Sequence, residues 1–155
     1  MNNEFIEYLF AHQKQADTRF FVFALMQQLV EQAHPDELHA LMHASGVAAA
    51  RTMPLASCQT VAELQDIINV KWSELNWGCI RLVEQPEHLL IEHMWSPFRE
   101  LFSPFSLEPG AAFLEGVYQE WFVELGAGSQ LQVRFMHIDP ETGALLFRFG
   151  ASCTA

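Results

Sequence analysis

His39 and His43 stand four residues apart in a stretch patterned as a helix, a spacing that can hold a metal ion between two imidazoles. A zinc site needs further ligands. Neither a Glu-x-x-His pattern nor a cysteine pair stands nearby, and Glu37 falls on another face, so surface histidines without metal are expected. His93 and His137 fall in predicted strands, where a hydrogen bond inside the fold is the plainer role. Carboxylates are plentiful enough for a glycosidase-type pair such as Glu92 with Glu115, but acid catalysis needs a raised pKa in a cleft, and abundance is not placement. A Gly-x-Ser-x-Gly elbow, a glycine-rich phosphate loop, a Walker lysine and a dinucleotide fingerprint are all missing, as is the Tyr-x-Ser-x-Arg of gas-sensing haem pockets. Tyr8, Trp72, Trp77, Trp95, Tyr118 and Trp121 have flat faces on which sugar rings can pack. Helical spacing assigns Trp72, Tyr118 and Trp121 to a core, which leaves Trp77, Trp95 and Tyr8 open. The residues therefore predict no catalytic group, no cofactor and no metal.

Charge narrows the partners. Nineteen acidic residues against eight basic ones give a net charge of -11. Nucleic acid is an unfitting partner, because its binding needs clustered Lys and Arg to neutralise phosphates. Anionic membrane surfaces are disfavoured for the same reason. Cys58, Cys79 and Cys153 match neither a disulfide framework nor a zinc pattern, and reduced thiols in a reducing compartment are expected. The N-terminus carries Glu4 and Glu7 where a secretory signal wants basic residues, and the apolar run at residues 20–26 is too short to cross a bilayer. A cytoplasmic protein follows, with the periplasm as the alternative. Half of the 155 residues are hydrophobic and 13 are Phe, which is rich for a solitary domain of this size and points to self-association.

The elements that must position these groups read as follows. Residues 4–12 form a short helix carrying Phe5, Ile6, Leu9 and Phe10, which must dock on something to persist. Asp17 or Thr18 caps a second helix reaching Ala33, apolar nearly all round at residues 20–26 and hence buried or an oligomer contact. Pro35 starts a third, with Leu38, Leu41 and Met42 inward, running to Arg51. Thr60 with Glu63 is a capping box opening a fourth, whose stripe of Leu64, Ile67, Ile68, Trp72 and Leu75 is buried and which Gly78 closes. Residues 79–85 and 88–95 make a hairpin around Pro86-Glu87. Residues 96–110 interleave three prolines with Phe98, Phe102 and Phe105, an aromatic loop suited to interaction, with folding back as a lid over the core as the alternative. A long helix at residues 110–126 follows, with Phe113, Leu114, Val117, Tyr118, Trp121, Phe122 and Leu125 over half its circumference, so it wants a sheet beneath it. A second hairpin, residues 130–139 and 144–150, supplies that sheet. The expected fold is one α+β domain over residues 1–155: N-terminal helices, then two antiparallel hairpins in one sheet with the long helix between them packed on it.

Met53-Pro54, Cys58-Gln59-Thr60-Val61 with Leu64-Gln65, and Trp77-Gly78 resemble the D subunit encoded in bacterial cellulose synthase operons. Leu90-Ile91-Glu92-His93, then Pro109 leading to Leu114-Glu115-Gly116-Val117-Tyr118 with Trp121, continue the likeness in the same order. The resemblance implies a non-catalytic accessory protein that forms a homo-octamer, a tetramer of dimers, with passages at subunit interfaces partly lined by the N-termini. It also implies partners: other cellulose synthase components, a proline-rich accessory protein, and glucan chains that are guided directly or ordered through a scaffold. On this basis Asn2, Asn3, Glu4 and Tyr8 are expected to line a glucan passage. Phe20, Phe21, Phe23, Phe98, Phe102 and Phe105 are expected to serve self-association. The phenylalanines of residues 96–108 depart from the family pattern. A small-molecule sensor domain of α+β type is the alternative reading.

Overall fold

A computed structural model describes residues 6–7, 17–99 and 107–152. Nearly all of the expected first helix, residues 4–12, lies outside them. The described elements are α1 (Arg19–Gln32), α2 (Pro35–Thr52), α3 (Val61–Leu75), β1 (Cys79–Glu84), β2 (His88–Met94), α4 (Glu108–Glu124), β3 (Leu131–Ile138) and β4 (Leu145–Ala151).

Local chemistry sets the helix ends. Pro35 occupies the first turn of α2, the His34 ring accepts from the Asp36 N–H, and Asp36 and Glu37 sit where the helix dipole favours acids. The capping box forms at α3: Thr60 Oγ1 accepts the Glu63 N–H at 3.1 Å, and Glu63 reaches back to the Gln59 N–H at 2.8 Å. Gly78 does not close α3, contrary to expectation. Asn76 does so in the left-handed conformation at φ 56°, while the Trp77 N–H returns to the Trp72 carbonyl. Gly78 serves the sheet instead, because a Cβ there would stand 1.9 Å from the Met94 carbonyl oxygen. Leu75 falls off the buried stripe and is 39% exposed.

The four strands form one antiparallel sheet in the order β1-β2-β4-β3. Alternation puts Ile80, Leu82, Ile91, His93, Val133, Leu145 and Phe147 on the inner face, and the helices cover it. The long helix α4 lies between the two hairpins in sequence and packs on the sheet, the α+β arrangement expected. Trp72, Tyr118, Trp121 and Phe147 are sealed beneath it. The tightest helix crossing joins α2 to α4 through two glycines that nothing in the local pattern marks out. A Cβ at Gly46 would lie 1.9 Å from the Phe113 carbonyl oxygen, and one at Gly116 2.0 Å from that of His43.

Both sheet edges are closed by side chains. On β1, Asn69 exchanges two hydrogen bonds with the Ile80 backbone and Gln65 accepts the Leu82 N–H. On β3, Gln119 accepts from Val133 and donates to the Leu131 carbonyl, while Glu115 accepts the Phe135 N–H. Each edge is thus met by a polar pair four residues apart on one helix, a spacing that serves alternate backbone groups of a strand. Unpaired edges invite strand addition; these offer none along those groups.

Candidate functional site

Three places hold the residues whose types and spacing suggest chemistry. The first is buried. His93 is fully enclosed, its Nε2 2.7 Å from the Trp77 carbonyl oxygen and its Nδ1 2.6 Å from the Tyr118 hydroxyl. A carbonyl can only accept, so Nε2 carries the proton and Nδ1 receives the Tyr118 O–H. Burial pushes the imidazole pKa down to about 4, the Trp77 carbonyl opposing it, and pushes the Tyr118 hydroxyl well up. Trp72 stacks on Trp77 at 5.6 Å and 4°, with Phe98 and Phe113 at the Trp77 edges. Trp77 therefore spends its ring faces inside the fold, and this cluster ties β2 to α4 instead of presenting a reactive group. Of the open aromatics among the described residues, Trp95 is displayed, 75% exposed on a left-handed residue at φ 58°. Tyr8 lies outside the described residues.

The second place is a groove along the β3 edge. His39 and His43 of α2 stack at 6.4 Å and 28°, facing Gln119 of α4 and Gln132 and Arg134 of β3 across about 490 Å³ of open space. Beneath them α4 delivers Glu115, only 3% exposed. Its Oε1 takes the Phe135 N–H, whereas its Oε2 has no hydrogen bond and lies 3.4 Å from His39 Nε2. Burial lowers the His43 pKa from the usual 6.5, partly opposed by Glu115. Sequence alone offers no third group near the histidines; the fold brings one from α4. The available signal is Glu115 with Gln119, two polar residues four apart inside an apolar stripe, as Gln65 with Asn69 is in α3. Among the described residues, no group of three or more His, Cys, Asp or Glu side chains could hold a metal ion. Glu92, the other half of the glycosidase pair, sits on the outer face of the sheet, clamped by Arg81 at 2.6 Å. With Glu115 on the inner face, the two carboxylates share no cleft.

The third place is the outer side of α1. Only Met26 of that helix is buried, while Phe20 is 88% and Phe21 68% exposed, with Phe23 and Leu25 beside them. Phe98, expected in an interaction loop, fills the core at 4% exposure against Trp77 and Phe113, where a Cβ on Gly110 would crowd its ring. Phe102, Phe105, Asn2, Asn3 and Glu4 lie outside the described residues. A hollow lined by Val30, Ala33, Pro35, Leu38, His39, Glu108 and Pro109 measures about 170 Å³. Ligand pockets usually span about 300–1,000 Å³. Cys58 and Cys79 are free and half-buried. Among the described residues, no helix is long and apolar enough to cross a membrane.

Compared with known families, residues 4–150 match the model that describes the D subunit of cellulose synthase. No curated protein matches the chain.

Proposed function

The chain belongs to the cellulose synthase D-subunit family, and on that premise we propose that it serves cellulose synthesis as a non-catalytic, oligomeric accessory protein. Membership of the family carries the role in cellulose synthesis. The oligomeric scaffold reading rests on one observation above all, the solvent-facing phenylalanines of α1. Phe20 and Phe21 together expose two nearly whole aromatic side chains, and burying each is worth about 1.5–3 kcal/mol. With the sheet edges capped, association proceeds through helix faces, and α1 is the apolar one.

In this reading the assembly is a homo-octamer, a tetramer of dimers, that arranges synthase components in the cytoplasm, with the periplasm as the alternative compartment. Other cellulose synthase components and a proline-rich accessory protein are its partners, and Asn2, Asn3, Glu4 and Tyr8 line a passage for glucan chains. The sensor reading finds little support in a core filled by Trp72, Trp77, Tyr118, Trp121 and Phe147. Deleting the gene tests the proposal. Cellulose order or yield should fall while the purified synthase still polymerises glucan, and complementation with a Phe20→Ser/Phe21→Ser variant should fail to restore order. Normal cellulose in the deletion strain, or a synthase inactive without this chain, contradicts it.

A further inference from the structure

We propose that Arg134 and Arg148 form a binding site for a small phosphate dianion on the outer face of the sheet. The two residues are paired directly opposite each other on β3 and β4. Strand alternation sends both away from the core, since their neighbours Val133 and Phe147 are buried. Directly opposed residues have Cα atoms about 4.5–5.5 Å apart, and like charges so placed destabilise a sheet. The chain has nineteen acidic residues that could relieve this. It uses acids elsewhere: Arg19, Arg51 and Arg81 are clamped by carboxylates at 2.6–2.7 Å. Among the described residues, Arg134 and Arg148 have no carboxylate partner. Arg134 donates to the Gln132 side chain at 2.8 Å and Arg148 to the Ala151 carbonyl at 3.1 Å. Each guanidinium has further N–H donors in its planar fork, and these are left over.

The space beside them suits a small oxyanion. On the same face the next pair along the strands is Gln132 with Gly150, and glycine puts no side chain there. The result is a bay of about 260 Å³ lined by Gln132, Arg134, Arg148, Gly150, Ala151 and Ser152. Pockets for drug-sized ligands usually span about 300–1,000 Å³, so this one fits a smaller guest. Among the described residues no carboxylate lines it, and its polar side chains are two guanidiniums, an amide and a hydroxyl. All four can donate to an anion. Two fixed positive charges match the about −1.5 to −2 of a phosphate group. A planar guanidinium also pairs with two phosphate oxygens at once. A monocarboxylate would neutralise only one of the two. With a net charge of -11 the chain as a whole repels anions at long range, so binding depends on this close contact. The inference stands apart from any role in cellulose synthesis.

The test uses the full chain in phosphate-free buffer of low ionic strength, titrated with sodium phosphate by calorimetry and followed by thermal unfolding. One equivalent should bind per chain and raise Tm, while sodium acetate and sodium chloride at matched ionic strength should not. Arg134→Gln and Arg148→Gln should each weaken binding at least about tenfold, the loss expected when hydrogen bonds to a charged group are removed. Arg148→Lys keeps the charge but not the fork and should bind with intermediate affinity. Without phosphate, both glutamine variants should melt no lower than the parent, because each removes a like-charge opposition. A lower Tm there would mean that the arginines already serve the fold, and overturns the proposal. Absence of saturable phosphate binding overturns it, as does an equal effect of acetate or chloride, which is screening alone. Phosphate binding unchanged in both variants also does, because it then belongs to other groups. Polyglutamate held through these arginines by a chain that ignores phosphate overturns it too, and marks the face as a docking surface for an acidic partner.

Discussion

Gly116→Ala sets two physical expectations against each other. Helix propensity alone says the change stabilises α4, since Gly in a helix interior is worse than Ala by about 1 kcal/mol. The structure says otherwise. The new methyl would sit 2.0 Å from the His43 carbonyl oxygen and 3.0 Å from the Val47 nitrogen, both on the α2 backbone. Restoring an ordinary contact of 3.4 Å needs α2 and α4 to part by about 1.4 Å. Backbone cannot swing aside as a side chain can, and an opening of even about 0.5–1 Å forfeits a quarter to a half of each dispersion contact along the seam. Overpacking of this kind costs about 1–3 kcal/mol, and rigid backbone on both sides places this case at the upper end. Net of the propensity gain, a loss of about 2 kcal/mol is expected. For a chain of this length that is a fall in Tm of roughly 4–8 °C. Urea unfolding followed by circular dichroism, with unchanged slope, is the assay. Gly46→Ala should cost a similar amount. Because both methyls force open the same seam, the double variant should lose less than the sum. A Gly116→Ala protein as stable as the parent, or more so, would refute the close-crossing account.

The remaining predictions concern the buried pair, the edges and α1. His93 is held near pKa 4 in the fold against about 6.5 unfolded, so between those values the unfolded chain takes up a proton that the folded chain refuses. Its contribution is steady above about pH 6.5 and is lost as pH falls toward 4, by about 3 kcal/mol in unfolding free energy; pH-dependent urea unfolding should show that slope, reduced in a His93→Gln variant. Tyr118→Phe leaves His93 Nδ1 buried without a donor and should cost about 1–3 kcal/mol in the same assay. Asn69→Leu and Gln119→Leu each strip backbone groups of a sheet edge. Each should destabilise by about 1–3 kcal/mol and raise thioflavin-positive aggregation, which a merely exposed polar residue would not do. Phe20→Ser/Phe21→Ser should lower the native mass while leaving the thermal unfolding of the protomer core within about 0.5 kcal/mol of the parent.

Much of the architecture is legible in sequence because it depends on local chemistry. Thr60 with Glu63, Pro35 with Asp36, and the turn at Pro86-Glu87 announce themselves, and the wide stripe of α4 demands a sheet. The failures share a different cause. Gly78 reads as a helix stop until the fold shows Met94 against it, and nothing in the local pattern marks Gly46 and Gly116 as the place where two backbones meet. Phe98 reads as surface because it stands among prolines, yet it packs on Trp77 and Phe113. Gln65, Asn69, Glu115 and Gln119 act on strands that only tertiary structure brings to them, as does the approach of Glu115 to His39. Local pattern specifies elements. Which polar residue meets which edge is a long-range fact.

Multi-angle light scattering of the purified full chain, across micromolar concentrations, bears most directly on the reading of this protein as a working assembly. A particle of several protomers is expected, eight if the assembly is a tetramer of dimers, shrinking when Phe20 and Phe21 become serine. A monodisperse single chain throughout that range, with both phenylalanines still facing water, would contradict it.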